Sequence, residues 1–421
     1  MYTVLIHYFT GKTMIYKHIV LLIAVLLASC SNDTQTIKIG YIDPLSGAFA
    51  NVGSHGLREL QYVVEKINDS GGVLDGKKFE IIALDSKTNP QEALIALKQL
   101  TDQGVKFFFQ GNSSAVAGAL TEAVLKHNDR NPDSRIMFLN YGAVDPALTN
   151  EKCNFWHFRL DADVDMKMQA LTNSIKNMAD VKNIYLLNQD YSFGHAVQSA
   201  AIEMISAKRP DIEIVGDELH PVGKIKDFSP YVAKIKASGA DSVVTGNWGN
   251  DLSLLVKAGK EAGLDVNYFT YYAGIVGTTG TIGQAGIGKV KQVSMWHNNL
   301  EGELNESLTL GYRERFPEAN DDFFFLSLLH GMELLKGAIN TTQSTDPFEI
   351  ALALEKGSYQ GPTGKVWMRK DNHQLLQPLF VSTMVDINDG SIKYDVERTG
   401  IGFLTDSTTE ADQTIIKTTC L

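Results

Sequence analysis

From Ile37 onward the chain alternates short apolar strands with amphipathic helices, and it does so in two successive rounds. Residues 37–41 read as a strand, after which Leu57, Leu60, Val63, Val64 and Ile67 fall on one helical face. Gly71-Gly72 stops that helix. Residues 79–84 form the next strand, and Pro90 stands where a new helix begins. Residues 106–109 are a strand followed by a small-residue helix over 115–125, and 135–139 is a further strand. This βαβαβα order predicts a parallel sheet with helices on both faces.

The rhythm restarts after a break. Residues 155–159 are extended, and Met168, Leu171, Ile175 and Met178 follow at helical spacing. Strands over 184–187, 212–215 and 242–245 alternate with helices over 197–207, 232–237 and 252–262. The Gly- and Thr-rich stretch 274–288 reads as a loop, with a strand over 292–295 after it. Residues 323–339 form a strong helix, and the tail from Gly361 reads as strands and turns. A chain of 421 residues is too long for one ordinary core. The expected fold is α/β, with two Rossmann-like lobes built on parallel sheets and joined by several short crossings.

The N-terminus sets the compartment. Lys17 and His18 precede the apolar run 19–26, which leads into Leu27-Ala28-Ser29-Cys30. Residues 1–29 have the layout of a secretory signal, with Met14 the more natural start. The ending resembles a bacterial lipobox, which implies that Cys30 is lipidated and tethers an exported protein to a membrane. An ordinary signal peptide or a transmembrane helix are the alternatives; the run is shorter than the roughly 20 residues a span needs. Of the 38 basic residues only Lys12 and Lys17 lie in this segment, so the mature chain carries 36 against 49 acidic ones, a formal charge of −13. Such a surface argues against nucleic acid or an anionic membrane as partner. Beyond Cys30 the chain has two cysteines, Cys153 and Cys420. In an oxidising compartment an even remainder suggests a disulfide, with two buried thiols as the alternative. Three cysteines so far apart make no zinc site.

No catalytic constellation emerges. Gly277 to Gly288 does not place a G-x-G-x-x-G between strand and helix. Val52-Gly53-Ser54-His55-Gly56 has the wrong register for a nucleophile elbow. The ten histidines are scattered, and Asp163 and Asp165 fit a polar turn entering a helix. Binding has better support. Gly111-Asn112-Ser113-Ser114 follows a strand and opens a helix, where free N–H groups, the helix dipole and two hydroxyls suit a carboxylate. Plain helix capping uses the same residue types.

Several motifs in order resemble periplasmic binding proteins of the leucine/isoleucine/valine type. They are Ile39-Gly40-Tyr41-Ile42-Asp43-Pro44-Leu45-Ser46-Gly47, Ile67-Asn68-Asp69-Ser70-Gly71-Gly72 and Leu74-Asp75-Gly76, then Asp85 with Asn89-Pro90. Asp145-Pro146-Ala147-Leu148-Thr149, Asp190-Tyr191-Ser192-Phe193-Gly194 and Asp227-Phe228-Ser229 continue the series. The resemblance spans about residues 37 to 383 and implies a ligand cleft between lobes joined by a three-strand hinge. It implies one lobe of residues 36–158 and 299–375 and a second of 159–298 and 376–421. It further implies a monomeric, non-enzymatic protein without cofactor or metal, which hands a small ligand to the permease of an ABC importer.

Carried over residue by residue, the family's site falls on Ser46, on Ser113 and Ser114 for a carboxylate, and on Gly142, Ala143 and Val144 for a second backbone element. Val144 lacks the usual hydroxyl there. Tyr191, Trp248 and Tyr272 supply aromatic surface, and Asp163 or Asp165 falls where an acid would face an ammonium group. Ala273 stands where the family has its second acid. A buried ammonium without acceptors is penalised by several kcal/mol, on the order of a stranded polar group. The expected ligand is therefore a small carboxylate with a hydrophobic or aromatic body, with a branched-chain or aromatic amino acid as runner-up. A ligand-sensing receptor domain and an extracellular α/β hydrolase are the competing classes; the first lacks an output segment and the second a nucleophile.

Overall fold

The computed structural model describes residues 36–317 and 320–420, so the signal segment and Cys30 lie outside the described residues. The first sheet is five-stranded and wholly parallel, in the order β2-β1-β3-β4-β5. It contains β1 (Ile37–Asp43), β2 (Phe79–Asp85), β3 (Phe107–Gln110), β4 (Met137–Asn140) and β5 (His157–Arg159). The connecting helices are α1 (Ala50–Asp69), α2 (Pro90–Asp102) and α3 (Ser114–Arg130). Local chemistry sets their starts: Asn89 caps α2 by accepting from Gln91 N at 2.8 Å, with Pro90 at the first helical position. Apart from the edge strand β2 the strands are buried on both faces; Phe108 of β3 stacks on Phe138 of β4 with centroids 5.0 Å apart.

The second sheet has seven strands in the order β15-β14-β10-β9-β8-β6-β7. Helix α4 (Val164–Ile175) leads into β6 (Asn183–Gln189), α5 (Ser192–Lys208), β7 (Glu213–His220), α6 (Ser229–Ser238) and β8 (Ser242–Thr245). Then come α7 (Asn250–Glu261), β9 (Asn267–Thr270), the short α8 (Thr278–Ile282) and β10 (Val290–Ser294). The chain next returns to the first sheet through α9 (Glu303–Arg315), α10 (Leu326–Thr342) and α11 (Pro347–Leu354). A small antiparallel sheet follows, of β11 (Ser358–Gly361), β12 (Gly364–Met368) and β13 (Leu375–Leu376). It crosses back into β14 (Leu379–Asp386) and β15 (Ile401–Thr409).

The two sheets are thus linked by three passages, near Leu160, at Met295–Asn298 and at Gln377. They are bonded to one another: Gln377 Nε2 donates to Leu160 O at 2.8 Å, and Gln374 Nε2 to Asp161 O at 2.8 Å. Gly331 on α10 lets that helix sit on the hinge, since a Cβ there would lie 2.4 Å from Leu160 and 2.8 Å from Phe109.

Several expectations are corrected. The second sheet is mixed, because β14 enters directly from the hinge without a crossover helix and pairs antiparallel with β10 and β15. The stretch 274–288 is not a plain loop; it holds α8, where Thr279 Oγ1 donates to Ala273 O at 2.9 Å. The helix expected over 323–339 begins only at Leu326. The carboxylate of Glu59 on α1 accepts the N–H groups of Phe324 at 2.6 Å and Phe325 at 2.8 Å, holding that turn away from helical bonding. Cys153 and Cys420 are joined in a disulfide with Cα atoms 5.8 Å apart.

Candidate ligand-binding site

In a doubly wound sheet, ligands sit beyond the carboxyl ends of the strands where the strand order reverses. In the first sheet that point lies between β1 and β3, and in the second between β6 and β8. The residues just past those strand ends line one cavity. The first lobe contributes Gly111, Asn112, Ser113 and Ser114 after β3, Gly142 and Val144 after β4, and Phe325 before α10. The second contributes Tyr191 and Phe193 after β6, Trp248 after β8, and Tyr272 and Ile275 after β9. The lobes touch over it: Phe49 stacks on Trp248 with centroids 4.0 Å apart, and Asn51 Nδ2 lies 3.4 Å from Val276 O.

One pole of the cavity is made of backbone donors. The N–H groups of Ser114 and Ala115 open α3 and have no preceding helical carbonyl to bond. The helix dipole adds positive potential there. Ser113 Oγ accepts from Val116 N at 3.5 Å and Ser114 Oγ from Asp145 N at 3.3 Å, which leaves both hydroxyl protons free to donate. Ser113 has φ 93°, a left-handed conformation rare for a residue with a side chain and characteristic of ligand loops.

A buried network holds this loop. Asp43 at the end of β1 accepts from Asn112 N at 2.9 Å, Gly111 N at 3.2 Å and the Tyr141 hydroxyl at 2.6 Å. Tyr141 also takes a bond from Asn112 Nδ2 at 2.9 Å. Burial pushes the Asp43 carboxyl up to about 7, against the pull of Tyr141 and the two N–H groups. Gly111 lies on the Tyr141 ring, where a Cβ would be 2.8 Å from the ring carbons.

The other pole is aromatic. Trp248 Nε1 donates to the Tyr191 hydroxyl at 2.9 Å, and Phe193 packs on Tyr272 with centroids 5.9 Å apart. Burial raises the pKa of Tyr191 and of Tyr272, so both phenols keep their protons. No charged side chain lines the cavity. Nearest behind it, Lys167 pairs with Asp161 at 2.7 Å and reaches the Tyr272 oxygen at 3.4 Å.

Of the residues expected from sequence, Ser113, Ser114, Gly142, Val144, Tyr191, Trp248 and Tyr272 line the cavity, and Ser46, Ala143, Asp163, Asp165 and Ala273 do not. Ser46 is exposed and donates to Asp85 Oδ2 at 2.5 Å. Ala143 is tied to the Asn140 side chain, its N–H donating at 2.8 Å. Asp163 caps α4 through Met166 N at 2.8 Å, and its second oxygen pairs with the buried Arg159 at 2.8 Å. Each of its oxygens thus already holds one partner outside the cavity. Asp165 sits within the first turn of α4, its carboxyl raised to about 7 by burial and by the Asp163 charge. Ala273 is fully buried in the packing of the second lobe. Sequence reasoning missed Phe193, Ile275 and Phe325 as lining residues; Phe193 stands in a family motif but was given no site role, and the other two stand in none. Among the described residues no group of three or more His, Cys, Asp or Glu is placed to hold a metal ion. No described helix is long and apolar enough to cross a membrane.

Two α/β lobes around a closed cavity at both switch points define a two-lobed solute-binding protein. A profile described as periplasmic binding protein matches residues 36–391. A Leu/Ile/Val-binding protein homolog 4 of Brucella melitensis is 33% identical over 400 residues, which cover 93% of each chain. The crystal structure of a leucine-, isoleucine-, valine-, threonine-, and alanine-binding protein from Brucella ovis, in closed conformation, superposes with a TM-score of 0.81. It is 32% identical, and the match covers 91% of this chain and 97% of that one. A solute-binding protein of an ABC transporter from Rhodopseudomonas palustris, in complex with 3,4-dihydroxy benzoic acid, shares the fold with a TM-score of 0.76 at 18% identity, over 89% and 98% of the two chains. The chain belongs to the periplasmic binding protein family.

Proposed function

We propose that this protein is the exported, lipid-anchored substrate-binding subunit of an ABC importer, and that it binds a small carboxylate with a hydrophobic or aromatic body. The observation that carries the ligand class is the cavity lining: backbone and hydroxyl donors at one end, aromatic rings at the other, and no carboxylate. Such a lining fits an anion with an apolar body and leaves an ammonium group without a counter-charge. The site residues are Ser113, Ser114, Gly142, Val144, Tyr191, Trp248 and Tyr272, with Phe325 added.

The division into a lobe of 36–158 and 299–375 and a lobe of 159–298 and 376–421 is supported by the two large sheets, β1–β5 and β6–β10 with β14 and β15, and by the packing of α10 on α1. The protein acts as a monomer, meets the membrane only through lipidated Cys30, needs no cofactor, and delivers its ligand to an ATP-driven permease by opening and closing about the hinge. A second reading, a branched-chain amino acid, is favoured by the names of the Brucella relatives.

The test is a thermal-shift panel on the soluble form from Ser31, pairing each branched-chain and aromatic amino acid with its amine-free acid. A ligand at about a hundred times its dissociation constant stabilises the native state by about 2.7 kcal/mol. Stabilisation by the acids supports the carboxylate reading. Stabilisation by the amino acids alone replaces it with the second.

A further inference from the structure

Tyr191 and Tyr272 line the cavity, and the hydroxyl of each has a group behind it that can only donate. Trp248 Nε1 donates to the Tyr191 oxygen at 2.9 Å. The Lys167 ammonium lies 3.4 Å from the Tyr272 oxygen and 4.7 Å from the centre of its ring. An indole N–H and an ammonium carry no acceptor, so neither phenol can give its proton to the group behind it. The Tyr191 proton has no acceptor among the described residues. The Tyr272 oxygen lies 3.4 Å both from Lys167 Nζ and from Gly142 O, each longer than a normal hydrogen bond. Lys167 cannot swing away, because Asp161 holds it at 2.7 Å and both side chains are 2% exposed.

We propose that Lys167 and Trp248 fix the hydroxyls of Tyr272 and Tyr191 as donors into the cavity, and that the site therefore selects carboxylates bearing a second oxygen acceptor, such as 2-oxo acids. This rests on the carboxylate reading above and narrows it. The selection works by polarity and not by size. A carbonyl oxygen satisfies the inward O–H groups, a methylene leaves them unpaired, and an ammonium turns donor against donor. Trp248 contacts the cavity itself, whereas Lys167 acts through Tyr272 and is a positioning residue.

The test uses three probes on one carbon skeleton, 4-methyl-2-oxopentanoate, 4-methylpentanoate and leucine, with phenylpyruvate, 3-phenylpropanoate and phenylalanine as an aromatic set. Binding to the soluble form from Ser31 is read by calorimetric titration. The expected order is oxo acid, then plain acid, then amino acid. The oxo acid is expected to be favoured about fivefold over the plain acid, the size of one net hydrogen bond. Tyr272→Phe or Tyr191→Phe brings that ratio toward one, whatever it does to the affinity for both acids. The pair Lys167→Met with Asp161→Asn, which leaves no lone buried charge, does the same through Tyr272. The melting temperature of each unliganded variant controls for folding, and the wild-type series decides the polarity question without any variant.

If the plain acids bind and the oxo acids bind no better, the donor assignment is wrong and the carboxylate reading stands. A preference for the oxo acid that survives both Tyr→Phe changes overturns the assignment to these hydroxyls. Should only the amino acids bind, the carboxylate reading falls and this inference with it.

Discussion

Phe49 at the start of α1 and Trp248 after β8 stack face to face across the cleft, with ring centroids 4.0 Å apart and planes inclined by 30°. The two rings come from different lobes, and each is at most 6% exposed. A hinge opening that parted the lobes would break this contact.

Truncating one partner therefore shifts the balance between open and closed forms. An aromatic pair is worth about 0.5–1.5 kcal/mol beyond the area it buries. Phe49→Ala is expected to weaken ligand binding about two- to tenfold by lowering the closed population. The unliganded melting temperature is expected to change little. Small-angle scattering of the unliganded variant checks the cause, since its radius of gyration should exceed that of the wild type.

Glu59 acts on the site from a distance. Its carboxylate takes the N–H groups of Phe324 and Phe325, and it pairs with His55 at 2.9 Å in a fully buried position. Removing one member of a buried pair destabilises by about 3–5 kcal/mol. Glu59→Ala is expected to lose stability on that scale in urea denaturation, and to bind ligand more weakly because Phe325 loses its anchor. Unchanged affinity in a folded variant would detach Phe325 from the site.

Asp43 makes stability depend on pH. Its carboxyl is raised from 3.8 to about 7 in the folded protein, so the native state holds the proton more tightly than the unfolded chain. The resulting stabilisation is complete below about pH 4 and is lost as pH rises toward 7. The shift corresponds to roughly 4 kcal/mol as an order of magnitude. His157, His297 and His330 act in the opposite sense, because burial lowers each from 6.5 to about 3 and their contribution is lost on acidification. The difference between Asp43→Asn and wild type isolates the carboxyl. That difference should move in favour of the variant between pH 4 and pH 8, measured by chemical denaturation at each pH.

The Cys153–Cys420 bond ties the tail beyond β15, a strand of the second sheet, to the segment before β5 of the first. Its partners span 267 residues of chain. Removing a disulfide of this kind lowers stability by about 2–5 kcal/mol. The double change Cys153→Ser with Cys420→Ser should lower the melting temperature and make it insensitive to reducing agent, whereas the wild type should fall to the same value on reduction.

Local sequence patterns carried most of the architecture. The apolar face of Leu57, Leu60, Val63, Val64 and Ile67 lies within α1, and Asn89-Pro90 caps and opens α2 as those residue types require. The family motifs located the cavity because they mark strand ends, and in a doubly wound fold strand ends are where ligands gather. Short elements were lost. The four-residue β9 and the helices α9 and α11 carry too little periodicity to stand out from their surroundings.

Within the site, the sequence alone determined which residue types reach the cleft: the serines that open α3, and the tyrosines and tryptophan after β6, β8 and β9. It could not say which charges remain available. Asp163 is paired with Arg159, Phe325 is placed by Glu59, and Lys167 stands behind Tyr272. Only the tertiary structure decided these. Periodicity and capping depend on neighbours within a few residues, but the free energy of a buried charge or proton depends on the burial and the partners that the whole fold assembles around it.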